Sequence, residues 1–407
     1  MSIILDSGTS TSDGQAMGIA ATMISDWRRF PISETLVDAR VQEESILTTW
    51  SDGRLSPFHF LWLRDNCPCD RCVHRLTREQ VFEIVDAPAD LAAVSAQPDE
   101  AGGLRIRWSD GHESRFDAGW LRANAYDNVS RAERRSRPPK RFWRAEQTEA
   151  LPVFSFAALA ADDGALLDWL RALRDVGLTL VKDVPLESEA VTRLARRISF
   201  VRETSFGVVF DVASKPNPDS NAYTSINLPP HTDLPTREVQ PGLQFLHCLA
   251  NEASGGDSIF VDGFAIAATL RGRFPEDFEI LATTPVAFWN KDTVTDYRHS
   301  APIIATDASG DVTEIRYSNS VRGPFDAPAD LMPGLYRAYR RFMQLGREAQ
   351  FRIVRRLEPG DMWGFDNRRV LHARTEFDPN SGKRHLQGCY VDRDELLSRI
   401  RVLERDA

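Results

Sequence analysis

Short apolar runs with alternating polar positions dominate the first third of the chain. Runs such as ILTTW (46–50) and LRIRW (104–108) are followed by Ser-Asp-Gly at 51–53 and 109–111. A period of two is typical of half-buried strands, and an Asp-Gly pair between two such runs favours a hairpin turn. The pattern therefore predicts a small β-rich module in this part of the chain.

Further along the chain, helical and strand-like patterns alternate. Residues 156–175 have helical spacing, and Leu335, Tyr339, Phe342 and Met343 fall at i, i+4, i+7 and i+8, which is a core-facing helix stripe. The strand candidates are, in order, LTLVKDV, GLQFLHCL, DSIFVDGF, EIRYSN, DMWGFDN and LQGCYV. Many short strands with few helices favour a sandwich or barrel over a sheet of βαβ units. The expected fold class is mainly β with helices.

Changes in composition divide the chain into four segments. Residues 1–30 are polar and predict a mobile tail, and residues 31–125 hold the β-rich module. Residues 126–151 include the run RAERRSRPPKRFWR, whose arginines and adjacent prolines indicate a linker. Residues 152–407 are long enough to form a larger domain with its own core.

The overall composition argues against several classes of protein. Of the 407 residues, 42% are hydrophobic and 27% are charged, which is typical of a soluble globular protein. A net charge of −9 argues against a nucleic-acid partner. The sequence has neither a signal-like start nor an apolar stretch of about 18 residues, so we expect a cytoplasmic protein without a membrane partner.

Three of the five cysteines, Cys67, Cys69 and Cys72, lie within six residues. Such clustering favours a metal site over a disulfide framework. Three thiolates leave a tetrahedral zinc site one ligand short, and the candidates for the fourth are His74 and His112. His74 is too close to Cys72 to complete the tetrahedron comfortably, whereas His112 follows a turn that could fold back over the cluster. An iron–sulfur cluster is the weaker alternative, because no fourth cysteine lies nearby.

A second candidate metal site begins with His231 and Asp233. Residues i and i+2 of an extended segment point to the same face, so the two side chains can bind one ion. His372 is the candidate third ligand, which would complete the facial triad of non-haem Fe(II) oxygenases. Arg384, twelve residues after His372, offers a guanidinium that can hold the far carboxylate of a chelating dicarboxylate.

These residues resemble a known family, the γ-butyrobetaine and trimethyllysine hydroxylases among the Fe(II)/2-oxoglutarate dioxygenases. The resemblance extends from about residue 35 to 405 and is carried by HFLWLRDNCPCDRC, HTDLP, PGLQFLHCL, GGDSIFVDGF, FDNRRVLHAR and RHLQGCYVDRDELLSRIRVL. It implies a double-stranded β-helix (jelly-roll) catalytic domain, a small zinc-binding N-terminal domain and a homodimer. It also implies that oxidative decarboxylation of 2-oxoglutarate with O2 is coupled to hydroxylation of an aliphatic carbon, with ascorbate as the reductant.

The resemblance also implies which residues form each site. Relatives of this kind bind a trimethylammonium group in an aromatic cage, because ring faces attract a cation that cannot hydrogen-bond. The implied residues are, for zinc, Cys67, Cys69, Cys72 and His112; for iron, His231, Asp233 and His372; for 2-oxoglutarate, Arg384 and Ser258; and for the cage, Phe206, Phe210, Tyr223 and Tyr390.

The end of the site that would bind the acid group departs from the butyrobetaine pattern. Leu234 stands where an aromatic residue is expected, and Ser220 replaces an asparagine, with Asn221 shifted by one. Arg316 stands where a neutral asparagine is common, with Asn319 nearby. Extra positive charge suits a more highly charged acid than a carboxylate. We therefore expect 2-(trimethylamino)ethylphosphonate as the substrate, hydroxylated at carbon 1 for phosphonate breakdown. The alternative is γ-butyrobetaine, which would give carnitine, and trimethyllysine comes third.

Two other classes of function stay open at this point. A zinc-stapled interaction protein with an inactive barrel would show a broken iron triad or lack the arginine, and neither is seen. A metal-dependent hydrolase would not need Arg384 and should work without oxygen.

Overall fold

A computed structural model describes residues 30, 34–136, 140–213 and 223–406. The chain divides into two compact units, Met1–Pro138 and Pro139–Ala407. The predicted mobile tail, apart from Phe30, lies outside the described residues. Within these ranges, no helix is both long enough and apolar enough to cross a membrane.

The first unit contains two three-stranded antiparallel sheets. In sheet order, their strands are β1 (Leu36–Val41), β2 (Ser45–Trp50) and β3 (Leu55–His59), and β4 (Ala93–Pro98), β5 (Leu104–Trp108) and β6 (Glu113–Phe116). Both hairpins predicted from the Ser-Asp-Gly turns are confirmed. Gly53 and Gly111 have φ near +80°, a conformation that glycine adopts without steric penalty.

Helices complete the first unit and extend into the predicted linker. They are α1 (Phe60–Asp65), a 3-10 helix (Ile84–Asp86), α2 (Ala118–Asn124) and α3 (Asn128–Arg135). Asp127 accepts a hydrogen bond from Ser130 N at the start of α3, and Glu133 pairs with both terminal nitrogens of Arg54 at 2.7 and 2.8 Å. Much of the segment 126–151 is therefore ordered, and the division between the units falls inside it.

The second unit contains fourteen strands in the described residues. In chain order they are β7 (Val153–Ser155), β8 (Leu178–Lys182), β9 (Phe210–Val212), β10 (Leu228–His231), β11 (Leu243–Asn251), β12 (Ser258–Asp262), β13 (Val286–Lys291), β14 (Asp296–Ala301), β15 (Ile304–Thr306), β16 (Val312–Ile315), β17 (Arg352–Arg355), β18 (Met362–Asp366), β19 (Val370–Arg374) and β20 (Arg384–Val391). Six form a sheet in the order β7-β8-β18-β11-β20-β9, and four form a second in the order β10-β19-β12-β17. The others pair as two hairpins, β13-β14 and β15-β16.

The structure is a mixture of helix and sheet, so the expectation of few helices is wrong. The helices of the second unit are α4 (Phe156–Ala161), α5 (Asp163–Asp175), α6 (Val191–Ile198), α7 (Gly263–Arg273), α8 (Pro275–Thr283), α9 (Met332–Arg347) and α10 (Arg393–Asp406), with 3-10 helices at Ala145–Ala150 and Ala349–Phe351. The predicted helix at 156–175 is interrupted at Asp162, whose side chain accepts a hydrogen bond from Ala165 N and starts α5. Helix α7 is buried on most of its surface, and its sequence therefore lacks the polar face that predicts a helix.

Helices cover one face of the six-stranded sheet and leave the other face for a cavity. Trp169 of α5 packs on Phe245 of β11, with ring centroids 5.6 Å apart. Because side chains alternate along a strand, the neighbours Gln244 and Leu246 point to the opposite face. Both of these residues line the main cavity of the unit.

A buried ion pair connects two parts of the second unit. Asp262 ends β12 and accepts hydrogen bonds from Arg369 at 3.0 and 2.8 Å, and both side chains are almost fully buried. Asp262 also accepts a hydrogen bond from Phe264 N at the start of α7.

We expect Asp262→Ala to lower the free energy of unfolding by about 3–5 kcal/mol, because Arg369 would be left buried without its counter-charge. Urea denaturation followed by circular dichroism measures the change. The control Asp296→Ala removes an exposed partner of Arg298 and should change stability little. Equal small effects of the two substitutions would contradict the prediction.

Candidate active site

Three side chains of the second unit converge on one point. The antiparallel pairing of β10 with β19 puts His231 opposite His372, with ring centroids 4.3 Å apart. Asp233 Oδ1 lies 3.4 Å from His231 Nε2 and 3.5 Å from His372 Nε2. The structure thus brings together the three predicted iron ligands. Two imidazoles and one carboxylate on one face are the donor set that suits non-haem Fe(II).

Neighbouring groups orient these donors. His231 Nδ1 donates to Pro229 O at 2.9 Å, which leaves Nε2 facing the cluster. Asn367 Oδ1 accepts from Asp233 N at 2.7 Å, and its amide nitrogen donates to Asp233 O at 3.0 Å. The Tyr390 hydroxyl donates to Asp233 Oδ2 at 2.7 Å, so Oδ1 is the oxygen that faces the histidines.

The protonation states of two of the three donors, His372 and Asp233, suit metal binding. Burial lowers the pKa of His372 to about 3, and the adjacent His231 adds to the effect. Burial would raise the pKa of Asp233, but the two histidines outweigh it and hold that pKa well below its usual range. Burial also opposes protonation of His231, yet the Asp233 carboxylate prevails and raises the pKa of His231. At neutral pH the cluster therefore offers a neutral His372 and an ionised Asp233, the forms that bind a cation.

Arg384 is a buried cation whose donors are mostly unsatisfied. Nη2 donates to Gly256 O at 3.3 Å, but Nε and Nη1 are buried and have no partner among the described residues. Burial lowers the pKa of Arg384 to about 10, so the side chain stays charged at neutral pH. A side chain at Gly256 would place its Cβ 2.7 Å from Arg384 Nε. Unpaired buried donors are costly, and a carboxylate from a bound ligand would satisfy them.

The three predicted iron ligands and Arg384 share a cavity of about 600 Å³, a volume suited to small molecules. All four predicted cage aromatics line it, as does Ser258. The rings of Phe210 and Tyr390 are stacked with centroids 4.9 Å apart. Tyr223 and Tyr390 are buried. These five residues therefore line the same cavity as the three predicted iron ligands.

The prediction that Arg316 binds the acid group of the substrate is wrong. Arg316 is 4% exposed and does not line the cavity. Its guanidinium donates to Glu314 Oε1 at 2.9 Å and to the backbone oxygens of Pro235 (2.9 Å) and Glu238 (3.0 Å). Glu314, two residues earlier in the chain, supplies the counter-charge that holds it there.

Asn319 and Asn221, the two amides assigned to the acid group, have different outcomes. Asn319 Oδ1 accepts a hydrogen bond from the Tyr339 hydroxyl at 3.1 Å, and Asn319 does not line the cavity. Asn221 lies outside the described residues, as does Ser220. Leu234, noted as a departure from the butyrobetaine pattern, does line the cavity.

Several residues at or beside the site were not predicted. Asn367 is hydrogen-bonded to the Asp233 backbone. Its position in the FDNRRVLH motif, just after β18 and five residues before His372, could have indicated a role at the site. Trp289, Asn290 and Lys291 reach the cavity from the β13-β14 hairpin, and Ser318 lines it as well. No spacing in the sequence connects these residues to the iron ligands.

The cysteines of the first unit meet His112 rather than His74. His112 Nε2 lies 3.2, 3.6 and 3.7 Å from the sulfurs of Cys67, Cys69 and Cys72. Zinc bond lengths in a tetrahedral site give S···N separations of about 3.6 Å, so the four residues fit one zinc ion. The His74 ring instead accepts a hydrogen bond from Thr77 N.

The zinc site also has a basic neighbour and a buried thiol. Arg64 is buried and donates to Cys72 Sγ at 3.2 Å, which adds a positive charge beside the thiolates. Burial raises the pKa of the Cys67 thiol to about 12. A bound cation would overcome this penalty by stabilising the thiolate.

Comparison with known proteins identifies the family. Residues 135–390 match the family described as taurine catabolism dioxygenase TauD, TfdA family, and residues 37–122 match the γ-butyrobetaine hydroxylase-like N-terminal family. The chain belongs to the TauD/TfdA dioxygenases. The predicted resemblance is confirmed, and the protein is an Fe(II)/2-oxoglutarate-dependent dioxygenase.

Among its relatives within this family are enzymes of two named activities. The chain is 57% identical over 383 residues to γ-butyrobetaine dioxygenase of Pseudomonas sp. (strain AK-1), covering 94% of this chain and 100% of that protein. It is 31% identical over 368 residues to human γ-butyrobetaine dioxygenase, covering 88% and 93% of the two chains. It is 30% identical over 370 residues to mitochondrial trimethyllysine dioxygenase of Rattus norvegicus, covering 89% and 86%.

We expect the purified dioxygenase to hold one zinc ion per chain, and Cys69→Ala to lose that zinc and lower the melting temperature. Elemental analysis and thermal denaturation measure both effects. Zinc binding should weaken as the pH falls, because the thiols must release protons to bind the metal. Cys248→Ala, which removes a buried cysteine outside the cluster, is the control and should keep its zinc. A Cys69→Ala protein with full zinc content would contradict the assignment.

Proposed function

We propose that this dioxygenase hydroxylates γ-butyrobetaine to carnitine while 2-oxoglutarate and O2 are converted to succinate and CO2. The observation that carries the proposal is the 57% identity to a γ-butyrobetaine dioxygenase over the full length of that protein. The aromatic lining of the cavity supports it, because a quaternary ammonium group binds to ring faces.

The position of Arg316 weighs against the phosphonate as substrate. The phosphonate was expected because Arg316 seemed to add positive charge to the acid-binding end. In the structure, Glu314 and three backbone carbonyls occupy that guanidinium, so it offers no donor to a ligand. The reason for expecting a more highly charged acid is thereby removed, and γ-butyrobetaine is the better candidate.

The proposed roles follow from the geometry of the cavity. Iron(II), held by His231, Asp233 and His372, supplies the oxidising chemistry when it is bound. Arg384 holds the far carboxylate of 2-oxoglutarate, and Ser258 assists from the same side of the cavity. Tyr390 has two roles, because its ring belongs to the cage and its hydroxyl orients Asp233.

The cage positions the reacting carbon relative to the iron. Since the Tyr390 ring and the Asp233 carboxylate are joined by a hydrogen bond of 2.7 Å, the trimethylammonium group is held close to the metal ligands. Fixing one end of a flexible substrate in this way limits the C–H bonds that can reach the oxidant. Burial of Tyr223 and Tyr390 limits the access of water to this part of the cavity.

Several finer features belong to the same proposal. The six-stranded and four-stranded sheets would form the double-stranded β-helix of the catalytic domain, residues 152–407. The predicted homodimer, the cytoplasmic location and the use of ascorbate as reductant stay predictions.

The first test compares substrates. With Fe(II), ascorbate and 2-oxoglutarate, we expect γ-butyrobetaine to gain one oxygen by mass spectrometry. Its kcat/KM should exceed those of 2-(trimethylamino)ethylphosphonate and trimethyllysine by about tenfold or more, because each differs in its polar end. A higher kcat/KM for the phosphonate would overturn the proposed substrate. Release of succinate without O2, or hydroxylation without 2-oxoglutarate, would overturn the proposed mechanism.

A second test addresses the co-substrate. We expect Arg384→Met to raise the KM for 2-oxoglutarate by about 100-fold, because a charged, buried hydrogen-bonding partner of the carboxylate is lost. The KM for γ-butyrobetaine should change much less. Arg384→Lys keeps the charge but loses the planar fork, and an intermediate KM is expected. Steady-state kinetics with each substrate varied in turn measures both constants, and an unchanged KM for 2-oxoglutarate would exclude the role.

A further inference from the structure

Three lysine or arginine side chains among the described residues line the cavity: Lys291, Arg374 and Arg384. Arg384 is assigned to 2-oxoglutarate. Arg374 Nη2 donates to Thr224 O at 2.7 Å and to Ile226 O at 2.8 Å, so this guanidinium holds the backbone before β10. Lys291 remains as the cation able to meet the acid end of a substrate.

Lys291 is held at the edge of the cavity by a fixed hairpin. It is the last residue of β13, and the two residues before it, Trp289 and Asn290, also line the cavity. Trp289 N donates to Val321 O at 2.7 Å, and the Trp289 ring packs so closely on Gly323 that a Cβ there would lie 2.9 Å from it. The strand is therefore fixed. The exposed Lys291 side chain forms no hydrogen bond or close ion pair in the part of the chain that the structure describes, and its cross-strand neighbour Asp296 interacts with it electrostatically but is hydrogen-bonded by Arg298.

The opposite charge lies on a different element of the cavity wall. Asp211 lines the cavity from β9, next to the cage residue Phe210, and lies within 3.0 Å of His385 Nε2 and Gln387 Nε2. At the cavity wall, β9 thus offers the carboxylate of Asp211, and the hairpin offers the ammonium group of Lys291. A zwitterion with a trimethylammonium group at one end and an acid at the other matches this arrangement.

We propose that Lys291 binds the carboxylate of the substrate and selects trimethylammonium acids over trimethylammonium compounds whose other end is uncharged. This inference rests on the proposed function and adds a specificity-determining residue to it. Because Lys291 is exposed, the ion pair is partly screened by water, and we expect its loss to raise KM by about fivefold.

The test compares the wild-type enzyme with Lys291→Gln and Lys291→Arg, using γ-butyrobetaine and its amide, which lacks the negative charge. Lys291→Gln should raise the KM for γ-butyrobetaine about fivefold, with kcat nearly unchanged and with the same KM for the amide and for 2-oxoglutarate. Lys291→Arg should behave like wild type. The preference of the wild type for the acid over the amide should fall as salt is added, and that of Lys291→Gln should not.

Arg171→Gln is the matched control. Arg171 lies on α5, pairs with Glu404 and does not line the cavity, so its loss changes the net charge equally without touching the site. If the wild type hydroxylates γ-butyrobetaine but Lys291→Gln changes the acid and the amide alike, or changes neither, Lys291 is not the selecting residue and the proposed function stands. If the wild type does not hydroxylate γ-butyrobetaine, the proposed function and this inference are both overturned.

Discussion

The pairing of β10 with β19 is the interaction on which the active site depends. It places His231 opposite His372, and β12 holds β19 from its other side, where Phe260 is the partner of His372. A shift of one residue in this register would turn His372 away from the cavity. Asp233 lies beyond the end of β10, and its backbone is positioned instead by two hydrogen bonds with the buried Asn367 side chain, one accepted and one donated by that side chain.

The protein also contains two buried groups, Arg384 and Cys67, that are suited to binding ligands. The Arg384 guanidinium is largely unsatisfied in the cavity, and Cys67 has a thiol whose pKa is raised by burial. The unpaired donors of Arg384 are unfavourable for the chain alone, and a bound carboxylate would satisfy them. Burial keeps the Cys67 thiol neutral, and a bound cation would stabilise its thiolate.

Arg316 illustrates why a position in a motif does not establish a contact. An arginine in place of a common asparagine indicated a positive charge at this position, and Arg316 does form an ion pair there. The position of the Arg316 guanidinium is decided by Glu314 and by the backbone carbonyls around Pro235. These groups bind the guanidinium and hold it away from the cavity. Lys291 shows the converse. It belongs to no motif, yet it lines the cavity because the β13-β14 hairpin runs beside the cavity.

The sequence by itself determined the features that depend on short spacings. The Cys-x-Cys-x-x-Cys cluster, the His-x-Asp pair, both Asp-Gly hairpins and the α9 stripe follow from local backbone geometry, which neighbouring residues impose directly. The closeness of His74 to Cys72 already favoured His112 as the fourth ligand. Only the tertiary structure decided that Arg316 is buried away from the cavity and that Lys291 reaches it. These outcomes depend on strand register and on competition among distant partners for each charge, and no local pattern encodes either.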